Sequence, residues 1–580
     1  MSDNVPHFRL LDFGYSDAEI EASRNPSLLT DGFLNLNEVI DELRSGERFL
    51  VLGNKGTGKT AIAEHLKFSA NATTFVTIAN LATFPYNDLK HIVEDDNAEP
   101  GFPTAWSWLL LVNILSSFAA DNGGNIHSHP ELSRIFSALD RVGLLPAAGS
   151  LKELLVLSRK RSFRVDLPFG IQLCGDEQSQ PDLHLPFFVE KVQSALLKFE
   201  SKSSHLLVID GLDEVLNLAQ SHLEPISGLV SESFRINSAF QKNGISAKVI
   251  LLCRTDLFDR LPGSNTNKVR QDCAIQLNWY TPNLNSSPLW SLANLRATLQ
   301  IGPDTDILAT YFPRRVERAD PRMPRVLPSK PSETSQYLLR HTRFTPRDFV
   351  ALLRSIQGQT RGISIRQEDI GAALQEYAVE YFLPEIRNEL SGYCTSEEIS
   401  ALVDAFALIR DSRFSLEKLE EIVPESIRTG LPKLLRVLFD CSAIGNWEEG
   451  DRSTGTRTYR YKNRNMRLNL HAPMSLHPAL GLAFNTLAPS KDDSPSDDSG
   501  TSHGPGELIG TVEYATSSWG FIRGDGEDSF HYKRSNVIDG FAITLNVGDR
   551  VSFVKETRKD PKFMHYSALN VQRIEKYRQN

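Results

Sequence analysis

The chain has 580 residues, too many for one compact domain; at roughly 100–200 residues per domain it divides into about three to five. Hydrophobic residues make up 40% and charged residues 23%, which excludes a fibrous or wholly disordered chain, and the formal charge of −9 excludes a polycation. Contact with nucleic acid therefore has to come from a local surface, and charge has to be read segment by segment.

Residues 1–46 form an N-terminal segment without a basic stretch leading into an apolar one, so no secretory signal is expected. The longest apolar stretch, residues 106–120, is shorter than the ~20 residues a bilayer demands and contains Asn113, Ser116 and Ser117. It predicts a buried helix, no membrane partner and a cytoplasmic location. Five cysteines without a C-x-x-C pair argue against both a disulfide framework and a zinc ribbon.

The body alternates short β-branched runs (residues 48–52, 73–78, 206–209, 249–252 and 274–277) with helical patterns, which predicts an α/β fold with a parallel sheet over residues 47–300. After the first run, Gly53-Asn54-Lys55-Gly56-Thr57-Gly58-Lys59-Thr60 fits G-x-x-x-x-G-K-[ST], and Ala61 continues into a helix opening. Glycines let the backbone N–H groups curl around phosphates, Lys59 brings a charge to the β/γ positions, and Thr60 offers its hydroxyl to Mg²⁺. ATP and Mg²⁺ are the cofactors this pattern predicts.

The strand-like Leu206-Leu207-Val208-Ile209 ends in Asp210-Gly211-Leu212-Asp213-Glu214. Asp210 is expected to hold Mg²⁺, and either Asp213 or Glu214 to orient the attacking water, because phosphoryl transfer depends on positioning and charge neutralisation. Arg254, at the end of the next buried run, is placed to sense the γ-phosphate, and Arg347, in Thr345-Pro346-Arg347-Asp348 at a helix start, to reach the nucleotide from a helical lid. Arg260 and Arg270 are possible arginine-finger donors to a neighbouring protomer.

These motifs resemble those of the AAA+ and STAND (NACHT-like) P-loop ATPases, the form LLVIDGLDE being the NACHT-like acidic motif. A further likeness is to a bacterial P-loop ATPase family that begins with FG-x-x-DAE-x-E, here Phe13 to Glu21, and carries R-T-D after the sensor strand and a terminal H-P-A-L, here His477 to Leu480. The resemblance implies a sheet of order 5-1-4-3-2, a helical lid (301–395), a winged helix (396–487) and nucleotide-dependent switching or homo-oligomerisation. It also implies a role in prokaryotic anti-phage defence and a downstream effector protein. Two departures stand out. Gly211 occupies the place where most AAA+ proteins have an acid, and Lys59 and Asp210 lie 151 residues apart, which implies a helical insertion at about 85–200.

Residues 488–506, rich in Ser, Asp, Gly and Pro, predict a disordered linker. Beyond it, residues 507–580 show five short strand patterns separated by Gly-rich turns, as in a small all-β barrel. Tyr514, Trp519, Phe521, Phe530 and Tyr532 crowd three of these strands and are candidates to stack bases. The segment GTVEYATSSWGFI and the later DGFAITLNVGDRVSF resemble a cold-shock domain. That likeness implies an OB-like barrel binding single-stranded RNA or DNA by stacking bases on Tyr514, Trp519, Phe521, Phe530 and Phe541. The tail holds 11 Lys+Arg against 10 Asp+Glu, so charge adds little. A strand-turn-strand pattern at 457–470, with Arg460, Lys462 and Arg464 sharing one face, offers a second basic surface or a solvated edge.

The reading is a slow or regulated switch ATPase coupled to single-stranded nucleic acid. Its rivals are a nucleic-acid motor and a non-hydrolysing scaffold locked by ATP.

Overall fold

The computed structural model describes residues 5–92, 102–124, 126, 129–141, 143–145, 149–160, 185–212, 223–263, 266–303, 305–318, 327–328, 330–409, 411–448, 456–463, 465–484, 507–515, 519–524, 529–533, 537, 545–559 and 566–575. They fall in two compact units, Met1–Ser494 and Pro495–Asn580.

Five strands of the first unit, β1 (Leu50–Gly53), β2 (Thr74–Asn80), β3 (Ser204–Asp210), β4 (Ala247–Arg254) and β5 (Ala274–Gln276), make one parallel sheet. Its order, β2-β3-β4-β1-β5, is the one expected. The inner strands are almost continuously apolar because helices cover both faces. On one face lie helices Val39–Ser45 and Lys59–Phe68, whose Ile40, Leu43, Ile62 and Leu66 pack on Val51, Val208 and Ile250. On the other lie Phe102–Ala119 and Leu223–Lys242, which pack with Leu207, Ile209 and Leu251. Phe102–Ala119 is apolar and long enough to cross a bilayer, yet Trp106, Trp108 and the run from Leu109 to Val112 are at most 1% exposed, so it is a core helix. Helices Pro130–Arg141, Leu151–Lys160 and Leu185–Leu196 extend that core between β2 and β3.

A second core joins the rest of this unit. Helices Pro288–Ile301, Thr334–Arg340, Pro346–Gln359 and Gln367–Glu376, a π-helical turn Tyr377–Phe382 and helix Leu383–Leu390 follow the sheet, with a two-stranded ribbon of β6 (Arg315–Val316) and β7 (Ser332–Glu333). Helices Ser396–Ile409, Leu416–Ile422 and Leu431–Asp440 then lead into a sheet of order β10-β9-β11-β8, from β8 (Arg413–Phe414), β9 (Ile444–Glu448), β10 (Thr456–Thr458) and β11 (Met474–Leu476). The hairpin is thus β9 with β10, not a pair within 457–470. Tyr459 is buried against His477 and donates to the Leu476 carbonyl at 2.9 Å, which bends the chain out of a strand there. Arg460 lies in that turn, so the expected shared strand face of Arg460 and Lys462 does not form; Arg464 lies outside the described residues. Phe8, Leu11 and Phe13, from the start of the chain, belong to this second core.

In the second unit, β12 (Glu507–Ala515), β13 (Trp519–Gly524), β14 (Ser529–Lys533), β15 (Arg550–Lys559) and β16 (Tyr566–Glu575) close into a barrel of order β12-β13-β14-β16-β15. The four described cysteines, Cys253, Cys273, Cys394 and Cys441, are free thiols.

Candidate functional site

The phosphate-loop motif follows β1 at the carboxyl edge of the parallel sheet, the edge where open α/β sheets bind ligands. The loop 54–58 is tied to its surroundings at several points. Thr57 donates to the Asn54 carbonyl at 2.8 Å, Trp279 Nε1 donates to the Thr57 carbonyl at 3.0 Å, and Lys59 Nζ turns back toward the Gly53 and Asn54 carbonyls at 3.4 and 3.3 Å. Lys59 and Thr60 open the helix, so its N–H groups point over the loop. Gly56 has φ +79°, and a Cβ there would sit 2.9 Å from Arg347 Cβ; only glycine lets helix Pro346–Gln359 come this close.

Asp210 ends β3 on the same sheet edge, 7% exposed, and accepts a 2.8 Å bond from Gly211 N. Its β2 neighbour in the ladder is Asn80. Gly211 has φ +80°, and a Cβ there would fall 2.2 Å from Asn80 Oδ1 and 2.7 Å from Ala82 N. A carboxylate side chain at position 211 therefore has no room in this backbone. Asp213 and Glu214, the expected water-positioning candidates, lie outside the described residues.

Arg254 is the parallel partner of Gly53 in register, which brings it next to the phosphate loop. It grips Asp256 through two bonds of 2.9 and 2.8 Å and reaches Glu389 on helix Leu383–Leu390 at 2.8 Å. Burial pushes the Asp256 carboxyl up, but the Arg254 charge and hydrogen bonds and the Lys59 charge outweigh it, so Asp256 stays below its usual range and ionised. The same helix brings Glu385 Oε2 to 3.2 Å from Lys55 Nζ. Arg347 donates from its backbone N to the Gly56 carbonyl at 3.3 Å, and from Nε to the Ser16 carbonyl at 2.8 Å.

Beside the loop opens a largely apolar cleft of about 430 Å³ including its mouth, lined by Leu34, Leu36, Ala61, Ile62, Trp279 and Pro346 among others. Its apolar lining is of the kind that receives a planar ring. Arg296 forms part of the wall, held by a buried pair with Glu21 at 2.6 Å and by the Phe13 carbonyl at 2.6 Å. This gives the Phe13 to Glu21 motif a role that its sequence pattern does not show: Asp17 caps helix Ala18–Arg24, and that helix delivers Glu21 to Arg296.

Sequence reasoning missed Asp256, Glu385, Glu389 and Asn80. The acids sit on helices as ordinary solvated charges would, so only the fold reveals their partners. Arg260 donates to the Tyr393 hydroxyl at 3.3 Å and Arg270 pairs with Asp259, so both arginine-finger candidates have partners within this chain.

In the barrel, Phe530 and Tyr532 are 2% and 3% exposed and pack with Val512, Ile522 and Phe553 in the interior. The expectation that they stack bases is corrected: their alternation along β14 points them inward. Phe521 is half-buried and precedes the fully buried Ile522, which puts it on the outer face. Its partner on β12 is Tyr514, and Trp519 lies two residues earlier on β13. Phe541 lies outside the described residues.

No protein-family model and no curated protein matches the chain. Among solved structures it is similar to the Orc1 protein of Aeropyrum pernix in complex with DNA, at 13% identity and a TM-score of 0.32 over 80% of this chain and 94% of that one. It is also similar to Cdc6p from Pyrobaculum aerophilum, at 13% identity and a TM-score of 0.28 over 81% and 95%.

Proposed function

We propose that the chain is an ATP-binding switch ATPase of the AAA+/STAND kind, joined to a barrel that binds single-stranded nucleic acid. The observation that carries it is the convergence, at one edge of a β2-β3-β4-β1-β5 parallel sheet, of the glycine loop with Lys59, Asp210 and Arg254 beside an apolar cleft. In this reading the base enters the cleft at Trp279 and Leu36, and the phosphates lie on the loop N–H groups and Lys59. Thr60 and Asp210 hold magnesium with oxygen ligands, a set that suits a hard cation taking its remaining ligands from phosphate and water. Bound magnesium supplies charge neutralisation at the β- and γ-phosphate oxygens.

Hydrolysis is slow in this proposal because the position after Asp210 has no room for a carboxylate, leaving Asp213 or Glu214 to orient water. Nucleic acid binds through Phe521 on the outer face of β13, with Tyr514, its register partner on β12, and Trp519, two residues earlier, completing the stacking set. Homo-oligomerisation and an effector partner complete the switch, and the anti-phage role is the part carried by the family likeness of the sequence alone. Binding of a fluorescent ATP analogue with Mg²⁺ tests the nucleotide half: it should be saturable in the intact protein and weakened at least tenfold in Lys59→Ala. Equal binding by both proteins would end the proposal.

A further inference from the structure

Lys55, in the phosphate loop, and Arg254, paired in register with Gly53, both reach across to one helix. Lys55 lies 3.2 Å from Glu385 and Arg254 lies 2.8 Å from Glu389. The two acids are four residues apart on helix Leu383–Leu390 and so share a face. Tyr381, four residues earlier, continues that face and donates to Asp348 Oδ1 at 3.0 Å, next to Arg347. The π-helical turn Tyr377–Phe382, which contains Tyr381, lies immediately before the helix.

We propose that Glu385 and Glu389 discriminate between tri- and diphosphate by holding back the triphosphate: their carboxylates occupy the cations that a nucleotide's terminal phosphate claims, so ATP has to displace them and ADP does not. This inference rests on the nucleotide-site reading above. Two features fit a contact made to be exchanged. The Glu385–Lys55 contact has ion-pair distance without hydrogen-bond alignment, so the buried Oε2 of this partly exposed carboxylate gains less than a well-made pair would give. Arg254 also keeps its two bonds to Asp256, so losing Glu389 does not strip it of all compensation. Helix Leu383–Leu390 packs against helix Leu431–Asp440 in the second core, so displacement by ATP is transmitted there as a movement of a packed pair.

The test uses the full chain and a non-hydrolysable ATP analogue or ADP, with wild type, Lys59→Ala, and Glu385→Gln combined with Glu389→Gln. The double variant should bind the ATP analogue roughly tenfold tighter, as expected when a charged competitor becomes neutral, and ADP less than about threefold tighter. Unchanged or weaker ATP binding, with wild-type binding still dependent on Lys59, would overturn the inference and leave the nucleotide reading intact. Equal binding by wild type and Lys59→Ala would overturn both. Should the double variant not fold, amide exchange in wild type decides. Faster exchange across 383–390 with the ATP analogue and not with ADP supports the inference, and equal exchange with both contradicts it.

Discussion

Arg296 Nη2 lies 2.6 Å from Glu21 Oε1, both side chains buried, and this pair fastens the start of the chain to the wall of the apolar cleft. Glu21 Oε2 also accepts from Tyr15 N at 2.8 Å, and Arg296 reaches the Phe13 carbonyl. Removing one partner strands the other charge in the interior. Glu21→Ala should cost about 3–5 kcal/mol in denaturant unfolding. Glu21→Leu combined with Arg296→Met should recover most of that loss. A single variant as stable as wild type would show that the pair contributes nothing.

Gly211 is constrained by its positive φ and by Asn80 and Ala82 close to where a Cβ would stand. Gly211→Ala should destabilise by about 1–3 kcal/mol, and Gly211→Glu, which restores the acid of most AAA+ sequences, should lower turnover rather than raise it. Faster hydrolysis by Gly211→Glu would mean that the loop has space this account denies it.

His477 caps helix Pro478–Ala483, stacks on Phe382 at 4.7 Å, and faces the Thr342 carbonyl at 3.2 Å. Burial, then the neighbouring His341, pushes its pKa down to about 3; burial takes His341 down to about 4. Unfolded histidines protonate near 6.5, so below that pH the unfolded chain binds protons that the folded one refuses, and stability falls with pH. At pH 5 each residue should cost about 2 kcal/mol relative to pH 7. His477→Asn, which keeps a capping acceptor, should lose roughly 2 kcal/mol less on the same acidification. Equal acid sensitivity in the two proteins, measured by urea unfolding at both pH values, would contradict the assignment.

Phe530 and Phe521 should separate stability from binding. Phe530 fills the barrel interior beside Phe553 at 4.8 Å, so Phe530→Ala should cost about 3–5 kcal/mol in barrel stability. Phe521→Ala should leave the barrel folded and weaken a single-stranded oligonucleotide by about 1–3 kcal/mol. Oligonucleotide affinity untouched by Phe521→Ala would remove this face from the proposal.

The sheet was legible because its strands are buried on both faces and so read as continuous apolar runs, and because a glycine loop between strand and helix leaves few other folds. What sequence could not show was pairing across distance. Glu389 looks like any helix acid, and it takes the fold to bring it 135 positions back along the chain to Arg254. The aromatics of β14 misled for a related reason. Alternation tells which residues share a face, but not which face is the interior, and Phe530 and Tyr532 point into the barrel. The 457–470 segment opens on Thr458, Tyr459 and Tyr461 as a strand would, but tertiary packing of Tyr459 and Tyr461 near His477 overrode that local preference.

Steady-state ATP hydrolysis by the full chain, with and without single-stranded RNA or DNA, tests the central claim most directly. The account predicts slow turnover that Lys59→Ala abolishes, stimulated by a single strand and no longer stimulated once residues 507–580 are removed. Turnover that persists in Lys59→Ala, or stimulation that survives loss of the barrel, would contradict it.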